Sequence, residues 1–184
     1  MNRGILFAAF IAFGFHGTGC RQSPDPIQLS TVDSLRTGIG SVILTLTELD
    51  VTHYATADSI LKDRRHLFLE RFTDTLDRPT AALLGDQFKQ LREASRMAND
   101  HIQVREEAEA TLVRLIALRT DMSSGAMDTR TSANAIARER GTVQGMRRRV
   151  GQVISNYKAM QGVLERQPAV DSLLMLPNTN RLPS

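Results

Sequence analysis

From about residue 30 onward, apolar side chains recur every three or four positions, with polar and charged residues between them. This spacing marks one face of an amphipathic helix, with the 3-4 alternation of a coiled-coil seam. In a first segment, about 30–77, the stripe is Val32, Leu35, Ile39, Val42, Leu46, Leu49 and His53. A shifted register of Leu61, Arg65, Phe68, Phe72 and Leu76 follows. The slip predicts a break near residues 54–59, where Thr56 and Asp58 could cap a new helix. The "DRPT" stretch (77–80) ends the segment, because Pro79 disfavours helix at the residue before it. A second segment, about 80–122, carries Leu84, Phe88, Leu91, Ala94, Ala98 and Ile102. It continues with Val104, Ala108, Leu112, Leu115, Leu118 and Met122. "SSGAMD" (123–128) is a turn in which Gly125 can take a positive φ. The third segment, about 129–166, keeps the most regular heptad: Val143, Met146, Val150, Val153, Tyr157, Met160 and Leu164. Pro168 is expected to close it, and 167–184 has no periodicity, which predicts a disordered tail.

Three long segments that each carry one apolar stripe cannot be buried singly. Joined by short turns, they predict an all-α, elongated up-down-up antiparallel three-helix bundle with coiled-coil-like packing. Composition strengthens this expectation: there is no Trp, only two Tyr, and most Phe fall before residue 20, so aromatic-rich strands have little material. Charge adds a pairing rule. Residues 30–77 carry five basic and eight acidic side chains, 80–122 six and seven, and 129–166 eight and two. The first and third helices should attract along their flanks, which selects register more than it stabilises.

The first thirty residues belong to another category. Arg3 precedes an uncharged apolar run from Gly4 to Phe15, about 18 Å of helix and too short for a hydrocarbon layer of about 30 Å. A short positive flank, an apolar core and small residues after it (Gly17, Thr18, Gly19) make a secretory signal peptide, residues 1–19. Cys20 follows and is the only cysteine, so no intrachain disulfide can form. Gly17-Thr18-Gly19-Cys20 resembles the lipobox of bacterial lipoproteins, although Leu is usual where Gly17 stands, and the same small residues suit ordinary signal cleavage. The resemblance covers residues 1–20 and implies acylation of Cys20 as the first mature residue, of palmitate type. Residues 20–29 would then be the acylated cysteine and a flexible tether, kept extended by Pro24 and Pro26. Arg21, with no acidic run beside it, implies by the same resemblance the periplasmic face of an outer membrane.

Candidate chemistry is sparse. Folding the first segment onto the second about residues 78 and 79 brings His53 and His101 within a turn of one another. Asp50 lies on the face of His53, and imidazole with carboxylate can hold a divalent metal. The third segment would bring Gln144 to Arg148 to this level, with no good ligand and with Arg147 near. The reading preferred for these residues is therefore a polar layer that fixes helix register, with the metal site as the alternative. Asp63, His66 and Glu70, beside Arg64 and Arg65, form a charged face. "RERGTVQGMRRRVG" (138–151) concentrates Arg138, Arg140, Arg147, Arg148 and Arg149, which could meet an anionic glycolipid or wall polymer. Gly141 and Gly145 in the same stretch leave a smooth strip that could admit another helix. Without interleaved aromatics, and with export, nucleic acid is not expected. No glycine-rich phosphate loop, Gly-x-Ser-x-Gly elbow or His-Glu-x-x-His is present, so neither an enzyme nor a cofactor is expected.

The sequence thus predicts a non-enzymatic, lipid-anchored envelope protein acting as helical spacer, scaffold or adaptor, for a protein partner or a second copy. The alternatives are a periplasmic metal or small-ligand binder using His53 and His101, and a binder of anionic glycolipid or cell-wall polymer through Arg138 to Arg149.

Overall fold

The computed structural model describes residues 23–176, so the leader, Cys20 and residues 177–184 lie outside the described residues. Four helices account for nearly all of them: α1 (Pro26–Glu48), α2 (Thr52–Arg71), α3 (Arg78–Ser123) and α4 (Thr129–Met175). Among the described residues there is no strand. α1 and α2 follow end to end as one bent rod, α3 returns along it, and α4 runs back beside both. Antiparallel pairs such as Asp33–Arg119 and Asp58–Ser95 fix α3 against the first rod. Parallel pairs such as Gln28–Thr129 and Arg64–Asp171 fix α4. At 46 and 47 residues, α3 and α4 are each about 70 Å long.

Aspartate caps start three of the four helices. Asp25 accepts from Ile27 N at 2.8 Å, Asp77 from Thr80 N at 2.7 Å and Asp128 from Thr131 N at 2.8 Å. Those main-chain donors from Thr80 and Thr131 hold the carboxyls of Asp77 and Asp128 below the usual carboxylate range. Pro26 and Pro79 occupy the first turns of α1 and α3, where their missing N–H costs nothing. After α3, Gly125 takes φ 70° and makes the reversal into α4.

The core divides in two. Near the amino-terminal end, Val32, Ile39 and Leu46 pack with Val104, Leu115, Val143, Met146 and Val150. Toward the other end, Tyr54 and Phe68 pack with Leu84, Leu91, Met160 and Val163. Leu49, at the joint of the bent rod, touches both. A buried amide layer crosses the second cluster. The Gln87 Nε2 donates to the Val163 carbonyl at 2.8 Å and to Gln167 Oε1 at 2.9 Å. Gln167 donates in turn to Asp171, which also takes Arg64. Such a layer fixes register, because sliding one helix breaks every bond in it.

The structure corrects several expectations. The bend lies at Leu49–Val51, before residues 54–59, and Asp50 within it accepts from Thr52 N at 2.9 Å. α1 begins at Pro26, not residue 30, because Asp25 caps it and shortens the tether. In α2 the buried face is Tyr54, Ala57, Phe68 and Arg71, so Arg65 and Phe72 are turned outward by about one residue. Ile102 likewise faces solvent instead of the core. α4 does not stop at Pro168 but runs through it to Met175. Pro168 is exposed, so the Leu164 carbonyl it deprives of a donor lies toward water, while buried Val170 and Leu174 hold the last turns to the bundle.

Candidate functional site

Between the two cores lies a layer of His53, Tyr54, His101 and Tyr157. His53 stacks on Tyr157 with ring centroids 5.3 Å apart, and Tyr54 meets His101 edge-on at 6.0 Å. His101, only 1% exposed, places Nε2 2.9 Å from the Leu46 carbonyl. A carbonyl only accepts, so Nε2 carries the proton and donates. α1 ends at Glu48, so this carbonyl is among the last-turn oxygens that lack an intrahelical partner. The buried histidine therefore satisfies the frayed end of α1 and holds the bend. Burial pushes the Tyr54 hydroxyl up to about 12. The Asp50 carboxyl is held low, chiefly by the Thr52 hydroxyl and amide.

In this layer the groups of the metal-binding alternative are engaged elsewhere. The Nε2 of His101 is committed to the main chain, the His53 ring is stacked on Tyr157, and Asp50 is 3.9 Å from His53 and turned to Thr52. Among the described residues no group of three or more His, Cys, Asp or Glu side chains is placed to hold a metal ion. Tyr157, not Gln144 to Arg148, stands at this level. The Arg147 guanidinium instead lies over Gly38, where a Cβ would come within 3.0 Å of it. The α4 residue that meets His53 thus lies about three helical turns beyond the stretch expected at this level. Asp63, His66 and Glu70 are exposed on α2.

The arginine stretch divides by face. Arg149 pairs with Glu107 of α3 and Arg147 crosses to α1, whereas Arg138, Arg140 and Arg148 are exposed and make no ion pair among the described residues. Added Cβ atoms at Gly141 and Gly145 would meet nothing within 4 Å, so this strip is open. Ion pairs between rods run mainly through α3: Asp33–Arg119 at 2.7 Å, Arg114–Glu139 at 3.2 Å, and Glu107–Arg149. The first and third helices, expected to attract most, share Arg64–Asp171 at 3.0 Å.

Two surface grooves lie away from the leader end. One of about 350 Å³ opens where the α2–α3 turn meets the end of α4, lined by Arg71, Leu76, Leu84 and Leu173. Another, of about 480 Å³, lies on the outer α2–α3 face between Leu61, Arg65, Leu69, Phe88 and Arg92. The Arg92 guanidinium lies 5.9 Å from the Phe88 ring centroid. This second groove was not anticipated. Its signal was Arg65, a charged residue within the apolar stripe read for α2, which marks it as outward. No protein-family model matches the chain, and comparisons with curated proteins and with solved structures find no match either.

Proposed function

We propose that the chain is a non-enzymatic, lipid-anchored protein of the bacterial cell envelope, a helical spacer and adaptor. The supporting observation is the start of α1 at Pro26, capped by Asp25. Only the stretch from Cys20 to Asp25 separates an acylated cysteine from the bundle, and it reaches at most about 17 Å. A lipid there would hold the foot of a rod about 70 Å long close to the bilayer. Grooves near the α2–α3 turn would then stand far out, available to a partner. No described helix is long and apolar enough to cross a membrane; in this reading attachment to the bilayer is through Cys20. Two acyl chains suffice where one is marginal. By resemblance of the leader, the site is the periplasmic face of the outer membrane.

Intact mass of protein recovered from native envelopes tests this reading. The expected species begins at Cys20 and carries diacylglyceryl and fatty-acyl mass, and Cys20→Ser moves the protein into the soluble fraction. A chain beginning at Met1, or at an unmodified thiol, overturns it.

A second reading has its own support. Arg138, Arg140 and Arg148 are exposed without ion pairs among the described residues, and Arg138 stands about 14 Å along α4 from its start. A cationic face at that height suits anionic headgroups or wall polymer beside the anchor. Binding to anionic vesicles should weaken steeply with salt and with the triple change to Gln.

A further inference from the structure

α3 carries two heptad stripes. The buried one makes the core; the second runs along its outside through Gly85, Phe88, Arg92, Ser95, Asn99, Ile102, Glu106, Glu109, Val113 and Ile116. Its spacing is a strict 4-3 alternation, which keeps every member on one seam. Ile102, Val113 and Ile116 are 42%, 66% and 44% exposed. Large aliphatic side chains in register on a solvent face are unusual for a helix whose core stripe lies elsewhere.

The seam is polarised. Its half toward α2 is aromatic and cationic, with Phe88 and Arg92 lining the 480 Å³ groove together with Leu61, Arg65 and Leu69. The half toward the α3–α4 turn is aliphatic and anionic. Arg65, Arg92 and Glu106 make no ion pair among the described residues, and Glu109 has only Arg105 of its own helix at 3.7 Å.

We infer that this face is an interface with a second copy of the chain, in which two α3 seams pack antiparallel. In that register Arg92 opposes the partner copy's Glu109, and Phe88 opposes its Val113. Open Gly85, whose Cβ position meets nothing within 4 Å, receives Ile116. A large side chain thus meets a small one, and each cation meets an anion. The two-fold axis passes between Asn99 and Ile102, so every contact occurs twice, as an isologous interface requires. Arg65 flanks the same groove and closes on Glu106. A parallel pairing would instead stack Arg92 on Arg92, Glu106 on Glu106 and Glu109 on Glu109, which like-charge repulsion forbids. The inference rests on the seam alone and not on the lipid anchor.

Sedimentation equilibrium of the full chain in density-matched detergent tests it, with Arg92→Glu, Glu109→Arg and the double exchange. The expected result is a monomer–dimer equilibrium that each single reversal weakens at least about tenfold and that the double exchange restores to within about threefold. Both sites are exposed, and unchanged helical circular dichroism verifies the fold of each variant. A wild-type chain that stays monomeric to about 300 µM, single reversals without effect, or a double exchange that fails to restore pairing overturns the inference.

Discussion

Replacing His101 by leucine isolates what the buried imidazole contributes. The donor at 2.9 Å from the Leu46 carbonyl disappears, and that carbonyl has no intrahelical amide to take its place because α1 ends at Glu48. Leaving a buried carbonyl unpaired costs about 1–3 kcal/mol. Two gains oppose this. Leucine removes the imidazole Nδ1, which makes no hydrogen bond within the protein, and it adds apolar contact between two hydrophobic clusters, together about 1 kcal/mol. The net expectation is destabilisation centred on about 1 kcal/mol. His101→Gln, which keeps an N–H donor at similar reach, should lose less. Urea unfolding followed by circular dichroism reads both, with the slope compared to ensure that a midpoint shift reports stability. A His101→Leu chain as stable as the parent, or more so, would refute the assignment of His101 as the partner of the α1 end.

Other outcomes follow from single features. Gly141→Ala and Gly145→Ala, at open positions inside α4, should each stabilise by up to about 1 kcal/mol in thermal or urea unfolding. Gly38→Ala should also stabilise, because the atom its Cβ meets is the end of the flexible Arg147 side chain; destabilisation there would show that Arg147 is pinned. In a Tyr157→Phe chain, the phenolate absorbance of Tyr54 should still emerge above pH 10, since burial, the largest cause of its raised value, remains. A raised folded value means that stability is intact below about 10 and declines toward 12, so loss of helicity should accompany that absorbance. The carboxyls of Asp77 and Asp128 are lowered by the amides they cap. Their contribution is therefore present above the ordinary value of 3.8 and is lost as pH falls through the folded values. Asp77→Ala with Asp128→Ala should flatten the acid decline of the melting temperature.

The heptad stripes made the bundle legible because they report burial directly. Val32, Ile39 and Leu46 in α1 and Val143, Met146 and Val150 in α4 are all core residues. The bend was misplaced because no Gly or Pro marks it. Residues 46–54 could continue as helix, and the break is held from outside by His101 on another helix, a contact that local pattern cannot show. Pro168 misled in the opposite direction: tertiary burial of Val170 and Leu174 outweighs the missing amide. His53 and His101 were rightly placed near one level, but proximity along the rod does not set where a ring points. Stacking and a main-chain acceptor took both away from a shared ligand. On α3 the outer seam was hidden because Ile102 reads as core when only one stripe is sought.

The two proposals constrain one another. The seam's two-fold axis lies near the middle of α3, so an antiparallel pair overlaps along nearly its whole length, and the two amino-terminal ends sit about 70 Å apart. Lipids on both copies of an upright pair cannot enter one flat bilayer, because each tether reaches only about 17 Å. Upright copies anchored in a single membrane must remain unpaired, whereas copies on facing membranes can pair and hold those surfaces apart. The expected gap is between about 70 and about 100 Å, the rod plus up to two tethers. Vesicles carrying the acylated chain should therefore cluster, with that spacing measurable by electron cryomicroscopy. Clustering should vanish with Arg92→Glu, which spares the anchor, and with Cys20→Ser, which spares the seam. Dimers forming freely within isolated vesicles, without clustering, would refute the upright arrangement; the sedimentation and intact-mass experiments test the pairing and the anchor separately.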